Sequence, residues 1–246
     1  MHITSPAYES AAELALPAAE VHLWRVDLEA VASGEARWGQ LLSSDEQARA
    51  QAYRFPSDRQ RYITVRALLR TLLGAYTGRD PRDLVFSYSD KGKPALIPTG
   101  GDPEIQFNVS HSGGASLLAF ATRRDLGVDV ESLHRKIEHD AIARRFFSTR
   151  EQQQFSEIAP QDRSAAFFRC WTRKEAYLKA TGAGLSLPLG QFDVSIAEAD
   201  TDSLLETRPD PAEASRWTLA EVPAGAGFVG ALCARGKGWR LKSWSD

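Results

Sequence analysis

An alternating segment, GVDVE at residues 127–131, and a helical run, WTRKEAYLKA at 171–180, constrain the fold of this chain more than any other feature. On a β-strand, side chains two residues apart share a face, so Asp129 and Glu131 project together. In an α-helix, residues four apart are neighbours, so Glu175 and Lys179 also share a face. The two patterns predict a mixed α/β chain in which Glu175 completes an oxygen-rich site.

These charged side chains have two interpretations. Carboxylate oxygens suit Mg²⁺, which usually takes one or two carboxylates, keeps several waters and completes its shell with substrate phosphates. Alternatively, Asp129 and Glu131 form the solvent face of an edge strand, and Glu175 and Lys179 make an ordinary exposed helix ion pair. Each spacing taken alone leaves both interpretations open.

A second polar motif, FNVSHSGG at residues 107–114, ends a short apolar run and precedes the strand-like segment 116–121. We interpret it as a loop whose hydroxyl, imidazole and backbone N–H groups can bind an anion. The alternative is a turn capped by Asn108 and Ser110, with His111 bonded locally.

Four motifs occur in order: GKP at 92–94, FNVSHS at 107–112, GVDVE at 127–131 and WTRKEAYLKATGAGL at 171–185. In this order and at these separations they make the chain resemble the 4′-phosphopantetheinyl transferases of the larger, surfactin-synthetase-activating type. The resemblance is dense from 91 to 192 and thinner over 53–70. Any one of the motifs would be a weak signal, whereas the four together are specific.

The resemblance implies a fold of two similar α/β halves packed as a pseudo-dimer, with the active site in the cleft between them. We place the boundary near 122–126, which gives an N-terminal half, 1–123, with coenzyme A nucleotide contacts. The C-terminal half, 124–246, then carries the metal site and the catalytic helix. Because one chain holds both halves, a monomer is expected. The sequence shows no clear repeat, although helix-then-hairpin segments occur in both halves.

The resemblance also implies a reaction. The 4′-phosphopantetheine arm of coenzyme A would pass to a serine of an apo acyl or peptidyl carrier protein, with release of adenosine 3′,5′-bisphosphate. Mg²⁺ would be held by Asp129, Glu131 and Glu175, and Lys174 and Lys179 would add positive charge. Either Glu175 or a metal-bound water would remove the serine proton. Carriers of fatty-acid, polyketide or nonribosomal-peptide synthases are all possible partners.

Coenzyme A contacts are expected from both halves. The residues that the resemblance assigns to them are Arg66, Lys93, Ser110, His111, Lys174 and Lys179. His111 would reach the 3′-phosphate region and joins Glu175 and Lys179 as a catalytic residue. The family pattern breaks at Gln51, where a basic residue is expected four positions before Phe55. The arginines that could compensate are Arg49, Arg54, Arg61 and Arg66, whereas Arg70 could equally be structural.

Composition excludes several classes of protein. A formal net charge of −2 argues against a general nucleic-acid-binding surface. The two cysteines, Cys170 and Cys233, are too few for a disulfide framework or a cysteine-rich zinc site and suit a reducing compartment. The sequence shows no signal peptide and no apolar run approaching the ~20 residues of a membrane helix. A cytoplasmic protein without nucleic-acid or membrane partners is therefore expected.

Periodicity and capping signals predict the order of the elements. Helices are predicted over 43–53, 57–76, 137–146 and 162–181, with a further helix from a capping box at Ser148. Strands are predicted over 21–26, 84–88, 116–122 and 126–132, the last two as a hairpin. Residues 1–19 form an Ala-rich lead-in, and the segment after Gly184 is mostly strand-like.

Two other functions would use the same residues. A Mg²⁺-dependent nucleotide pyrophosphohydrolase needs similar carboxylates and lysines, and a non-catalytic carrier-binding module would keep the fold without the chemistry. The clustered charges argue against the module, because a scaffold has no need for them. A carrier-docking surface would separate transferase from hydrolase, and the sequence hints at one in exposed apolar residues around Phe146 and Phe147.

Overall fold

A computed structural model of the chain describes residues 14–31, 38–198 and 202–245. Residues 1–13 of the expected lead-in lie outside the described residues. The helices are α1 (Leu28–Val31), α2 (Ser44–Gln51), α3 (Pro56–Thr77), α4 (His139–Phe146), α5 (Thr149–Ser156) and α6 (Arg163–Thr181). The strands are β1 (Glu20–Asp27), β2 (Phe86–Tyr88), β3 (Pro94–Leu96), β4 (Ile105–Ser112), β5 (Ala115–Thr122), β6 (Leu126–Ser132), β7 (Phe192–Val194), β8 (Leu204–Thr207), β9 (Trp217–Val222), β10 (Phe228–Arg235) and β11 (Arg240–Ser245).

The first half packs the long helix α3 on a four-stranded sheet in the order β11-β1-β5-β4. Pro56 suits the first turn of α3, where its missing N–H has no helical partner to lose. Apolar residues of α3, such as Leu68 and Leu72, meet Leu118 and Phe120 from one face of β5. The helix and sheet therefore bury one apolar core between them.

The second half repeats this arrangement with the helix α6 and the sheet β6-β10-β9. Alternate residues of β10, Val229, Ala231 and Cys233, face a core that includes Phe167 and Phe168 of α6. Both halves thus consist of a long helix on a sheet whose strands are mostly antiparallel. This mixed α and β architecture confirms the fold class expected from the sequence.

Strands β5 and β6 do not form the predicted hairpin. β5 pairs with β4 and β1, whereas β6 pairs with β10 in the other sheet. Both strands are buried along almost their whole length, because each is covered by its own helix on one face and by the opposite sheet on the other. The near-continuous apolar run 115–121 is typical of such a strand, whereas a half-exposed hairpin would alternate.

A third apolar cluster joins the two halves. It combines Leu117, Ala119 and Ala121 of β5 with Val128 and Val130 of β6, among other buried residues. Strand β4 also reaches β6 through side chains, since the amide oxygen of Asn108 accepts a hydrogen bond from the backbone N–H of Val128 at 2.9 Å. The inward faces of β5 and β6 therefore fix how the halves meet.

Both halves also contain a capping box whose glutamate forms an ion pair with the long helix. In the first, Ser43 and Glu46 form a capping box, and Glu46 Oε2 pairs with Arg70 Nε of α3 at 2.6 Å. In the second, Ser148 and Glu151 form a capping box, and Glu151 Oε2 pairs with the Lys174 ammonium of α6 at 2.8 Å. All four charged partners are buried. The repeat shows that the halves are similar units, as the resemblance implied, although no clear repeat was found in the sequence.

The last strand crosses back to the first half. β11 lies parallel to β1, with Trp244 opposite Trp24 in the register and the two indoles stacked at 4.5 Å between ring centroids. The first and last described strands therefore lie side by side in one sheet. No helix among the described residues is long and apolar enough to cross a membrane.

Candidate functional site

One face of α6 is only partly buried. Trp171, Glu175 and Lys179 are half-buried, whereas most of their neighbours between them are buried. The helix ends at Gly182, whose φ of 67° is left-handed and favours glycine. As the spacing predicted, Glu175 and Lys179 share this face.

Asp129 of β6 lies against that face of the helix. Its Oδ1 accepts hydrogen bonds from the Lys179 ammonium at 2.6 Å and from the Ser110 hydroxyl at 2.8 Å. Its Oδ2 is buried and has no hydrogen-bond partner among the described residues. Burial raises the pKa of the Asp129 carboxyl, and the positive charge of Lys179 opposes that rise. A buried carboxylate oxygen without a donor is costly unless a cation or proton joins it.

Glu131 shares the strand face with Asp129 and has both oxygens engaged. Its Oε2 accepts a hydrogen bond from the Ser112 hydroxyl at 2.6 Å, and its Oε1 accepts one from Arg135 at 2.9 Å. The two carboxylates therefore project together, as the alternation predicted, but each is neutralised by a cation of the same chain.

Glu175 is the third carboxylate of this region. Burial raises its pKa above the ordinary value, and the negative charge of Asp129 adds to the rise. Lys179 lowers the pKa and Glu131 raises it further. The charges of Asp129, Lys179 and Glu131 therefore all act on Glu175.

A cleft of about 290 Å³ opens beside these residues. Its lining comes from both halves: Lys91, Gly92, Lys93, Pro94 and Asn108 from the first, and Glu175, Leu178, Lys179, Gly182 and Gly184 from the second. The Lys93 ammonium donates to the Lys179 carbonyl at 2.7 Å and to the Leu126 carbonyl at 3.3 Å, so it also ties the halves together. Burial lowers the pKa of Lys93.

The motif at 107–112 is a strand, not the predicted loop. It forms most of β4, and the glycine pair that follows makes the turn into β5. Because side chains alternate along a strand, Asn108, Ser110 and Ser112 share the face towards β6. The apolar Phe107 packs in the core of the first half, which holds the segment in the sheet.

His111 lies on the opposite face of β4 from Ser110 and is open to solvent. Neighbouring protein atoms displace part of the water around the imidazole ring, and this desolvation lowers the pKa of His111. The positive charges of Lys179 and Arg61 lower it further. Asp58 at the start of α3 raises it. His111 thus lies among charges of both halves, although its predicted contact with a nucleotide stays a prediction.

The structure corrects the prediction for Lys174. This side chain is fully buried in the second half, where it pairs with Glu151 and donates to the carbonyls of Leu189 and Phe192 at 2.7 and 2.8 Å. Residues adjacent in a helix do not share a face, so Lys174 cannot join Glu175 in the cleft. Its ammonium is part of the core and does not contact a ligand in the cleft.

Arg66 lies outside the lining of the cleft. It is buried on α3, where its Nε is 3.3 Å from Glu46 Oε1 and its Nη2 donates to the Tyr88 hydroxyl at 3.0 Å. Arg70, one turn later, is almost fully buried and donates to the carbonyls of Pro81 and Leu84. Arg70 is therefore structural, and the contact of Arg66 with coenzyme A stays a prediction.

The hint of a docking surface also needs correction. Phe147 is buried and stacks on Phe167 with 5.4 Å between ring centroids. Phe146 is half-buried and meets the Trp171 ring edge-on at 6.0 Å. The predicted docking surface is therefore wrong for Phe147, because the end of α4 directs the Phe147 ring into the core.

The donor set suits a hard metal ion in type but not in its present arrangement. Carboxylate oxygens are the ligands that Mg²⁺ prefers, and Asp129 Oδ2, which accepts no hydrogen bond, can serve as such a ligand. Nevertheless, no three His, Cys, Asp or Glu side chains in the described ranges are placed so as to hold a metal ion together. Asp129 and Glu131 instead make ion pairs with Lys179 and Arg135.

Comparison with known proteins identifies the family. The family model for the 4′-phosphopantetheinyl transferase superfamily matches residues 125–233, and the model for the 4′-phosphopantetheinyl transferase N-terminal domain matches residues 33–123. The 4′-phosphopantetheinyl transferase HetI of Nostoc sp. is 36% identical over 231 residues, which are 94% of each chain. The chain belongs to the 4′-phosphopantetheinyl transferase family.

A second relative supports the resemblance to the larger type. The 4′-phosphopantetheinyl transferase Sfp of Bacillus subtilis is 29% identical over 160 residues, covering 65% of this chain and 69% of its own. The family's enzymes transfer phosphopantetheine from coenzyme A to carrier proteins. The expectation of a transferase of the Sfp-like type is thereby confirmed.

Three side-chain contacts of the site were not predicted from the sequence. Asn108 and Ser112 bond to β6 and Arg135 pairs with Glu131. The alternation of polar residues within 108–112 could have revealed the first two, had the segment been read as a strand. Arg135 lies four residues after Glu131, but no helical or strand pattern connects the two positions, so only the turn between them brings Arg135 back.

Proposed function

We propose that this chain transfers the 4′-phosphopantetheine arm of coenzyme A to a serine hydroxyl of an apo acyl or peptidyl carrier protein. Adenosine 3′,5′-bisphosphate would be the other product, and Mg²⁺ would be required. The observation that carries the proposal is the cleft in which Lys93 of the first half meets Glu175 and Lys179 of the second. A family transferase needs cations for the pyrophosphate and a base for the serine, and this lining offers both.

The positive charge of the cleft suits the pyrophosphate. Lys179 projects from α6 beside the cleft, and Lys93 contributes a second ammonium from the other side. In a partly buried site these charges act more strongly than in bulk water. Their role in the proposed reaction is to orient the pyrophosphate and to stabilise charge that develops on the departing bisphosphate.

Glu175 is the proposed general base. The serine oxygen would attack the phosphorus that carries the pantetheine arm, the bond from that phosphorus to the bisphosphate would break, and the serine proton would pass to Glu175. A raised pKa favours such a role, because a carboxylate is a better proton acceptor when its charged form is destabilised. Its half-buried position at the cleft leaves it accessible to an entering hydroxyl.

The proposed metal ligands are Asp129, Glu131 and Glu175. When bound, Mg²⁺ would polarise the pyrophosphate and offset the negative charge of the leaving group. The unpartnered, buried Asp129 Oδ2 supports this assignment. For Glu131 to serve as a ligand, its ion pair with Arg135 must open.

The nucleotide contacts are proposed for Arg66, Ser110 and His111. His111 is open to solvent beside α3 and could meet the 3′-phosphate, whereas Ser110 already bonds to Asp129 and Lys179. Both sides of the cleft come from one chain, which supports a monomeric enzyme. A soluble carrier in the cytoplasm, of fatty-acid, polyketide or nonribosomal-peptide type, completes the proposal.

The release of adenosine 3′,5′-bisphosphate tests the function against its alternatives. The protein would be incubated with coenzyme A, Mg²⁺ and an apo carrier, and the nucleotide products separated chromatographically. The proposal predicts one bisphosphate per carrier serine and none with a carrier whose acceptor serine is alanine. Cleavage of coenzyme A without a carrier would instead identify a hydrolase, and no cleavage at all would indicate a binding module.

A further inference from the structure

Arg135 contacts the proposed metal site but has no role in the proposed chemistry. Its Nη1 donates to Glu131 Oε1 at 2.9 Å. A turn closed by a 3.2 Å hydrogen bond from the Arg135 N–H to the Ser132 carbonyl carries the guanidinium back over the end of β6. The Arg135 side chain is 56% exposed, whereas that of Glu131 is 11% exposed. The cation therefore covers the open side of a nearly buried carboxylate.

The contacts of the two β6 carboxylates show what a metal ion would have to displace. Asp129 Oδ1 is held by Lys179 and Ser110, and the two oxygens of Glu131 are held by Arg135 and Ser112. Of these four carboxylate oxygens, only Asp129 Oδ2 has no hydrogen-bond donor among the described residues. Mg²⁺ demands near-octahedral oxygen ligands at short distance. The guanidinium paired with Oε1 of Glu131 occupies one lone pair of that oxygen and places a positive charge beside it, which opposes the approach of a cation.

We propose that Arg135 is a counter-ion that competes with the divalent cation for Glu131 and so weakens metal binding by the free protein. The inference rests on the metal ligands of the proposed function. Because the guanidinium is exposed, it can leave Glu131 without repacking the core. A phosphate oxygen is a strong alternative partner for arginine. Where a phosphate of bound coenzyme A takes over the guanidinium, the competition is relieved, and metal ion and substrate bind cooperatively.

Binding of Mn²⁺, followed by the electron paramagnetic resonance signal of the free ion, tests the inference on the whole protein. We expect Arg135→Gln to bind Mn²⁺ about two- to fivefold more tightly than the wild type in the absence of coenzyme A, the range that corresponds to one exposed ion pair. With saturating coenzyme A the difference should shrink towards none. Arg135→Lys, which keeps a cation beside Glu131, should stay near the wild type.

The matched control is Arg82→Gln. Arg82 makes an exposed ion pair with Asp80 at 2.6 Å and is not part of the cleft lining, so the substitution removes the same charge elsewhere. Its Mn²⁺ affinity should equal that of the wild type. A gain as large as that of Arg135→Gln would show that net charge, and not the contact with Glu131, controls the affinity.

The outcomes separate this inference from the proposed function. Saturable Mn²⁺ binding that Asp129→Asn weakens but Arg135→Gln leaves unchanged would overturn the role of Arg135 and keep the metal ligands. Binding that Asp129→Asn does not weaken, or no binding with or without coenzyme A, would overturn the metal ligands and this inference together. Circular dichroism spectra would confirm that each variant is folded.

Discussion

Lys174 shows that a shift of one position along a helix changes the role of a side chain. It directly precedes Glu175, yet it is buried in an ion pair with Glu151, while Glu175 faces the cleft. Successive helix positions differ by about 100° around the axis. An isolated lysine so deep in the core would be strongly disfavoured, so Glu151 and two carbonyl groups must compensate for the lost hydration.

We therefore predict that Lys174→Met destabilises the fold without weakening coenzyme A binding by the folded protein. Removing one partner of a buried ion pair costs about 3–5 kcal/mol because the other charge stays unpaired. Urea unfolding would measure the loss, and Lys136→Met, an exposed lysine of the same half, is the control. The double variant with Glu151→Gln should recover part of the stability. A stable Lys174→Met protein with a raised KM for coenzyme A would restore Lys174 as a ligand contact.

For single residues, the sequence predicted correctly which side chains share one face of a strand or helix. Asp129 with Glu131 and Glu175 with Lys179 lie as their spacings predict. It failed where a fold-specific contact decides. Asp129 is neutralised by Lys179 from a helix distant in sequence, and Glu131 by Arg135 from a turn. Neither pairing follows from a local sequence pattern.

Among the elements, β6 and α6 make the contact on which the site depends. A Cβ placed on Gly127 would lie 2.3 Å from both the Ala176 carbonyl oxygen and the Ala180 nitrogen. These are backbone atoms of the helix and cannot move aside as a flexible side chain can. The glycine of the GVDVE motif is therefore required for close approach of strand and helix, and its absence would separate Asp129 from Lys179.

We predict that Gly127→Ala destabilises the protein by at least about 1–3 kcal/mol, the usual cost of overpacking, and that it lowers transferase activity because α6 moves. Urea unfolding and activity assays would measure the two effects. Gly190→Ala is the control, since a Cβ there meets nothing within 4 Å and its φ is not left-handed. A Gly127→Ala protein as stable and active as that control would contradict the packing argument.

The elements also show where sequence patterns are ambiguous. The helices were predicted to within a few residues because caps and glycines mark their ends. The predicted hairpin of β5 and β6 was wrong, because two strands separated by a short turn pair with each other only if they stay in one sheet. Arg123, at a φ of 50°, instead begins the passage from one sheet to the other.

On the scale of the whole molecule, the pairing of β11 with β1 creates a pH-sensitive contact. His22 of β1 is buried, bonded to the Tyr76 hydroxyl at 2.8 Å and to Glu20 at 3.0 Å, and its ring meets Trp244 of β11 edge-on at 4.8 Å. Burial lowers the pKa of His22, which Glu20 opposes and Lys242 reinforces. The neutral imidazole is thus the form that the native fold favours.

We predict that this histidine makes the fold less stable as the pH falls. In the unfolded chain His22 takes up a proton near its ordinary pKa of about 6.5, whereas the folded chain resists until a lower pH. Between the folded and unfolded pKa values of His22, the unfolded state binds more protons than the folded state. The contribution of neutral His22 to stability is therefore present above about pH 6.5 and is lost as the pH falls below it. Unfolding midpoints at pH 7.5 and 5.5 should differ less for His22→Gln than for the wild type. Equal differences would refute the assignment, since His111 and His139 are common to both proteins.

The division into similar halves could have been read from the sequence. The segments SSDEQ at 43–47 and STREQ at 148–152 both form capping boxes, and PSDR at 56–59 and PQDR at 160–163 both begin a long helix. Their side chains repeat the same contacts, as Gln47 bonds to the Leu42 carbonyl and Gln152 to the Phe147 carbonyl. Three identical residues in each pair of segments are a weak signal, and the fold shows that the segments are equivalent.

The central claim is that residues of both halves form one site for phosphopantetheinyl transfer. The intact mass of a purified apo carrier protein, measured after incubation with this protein, coenzyme A and Mg²⁺, tests it most directly. The account predicts a gain of one phosphopantetheine, abolished by a chelator and reduced about 10²-fold or more in rate by Glu175→Gln, as loss of a general base requires. No gain across several unrelated carriers with a folded protein, or an unchanged rate for Glu175→Gln, would contradict it.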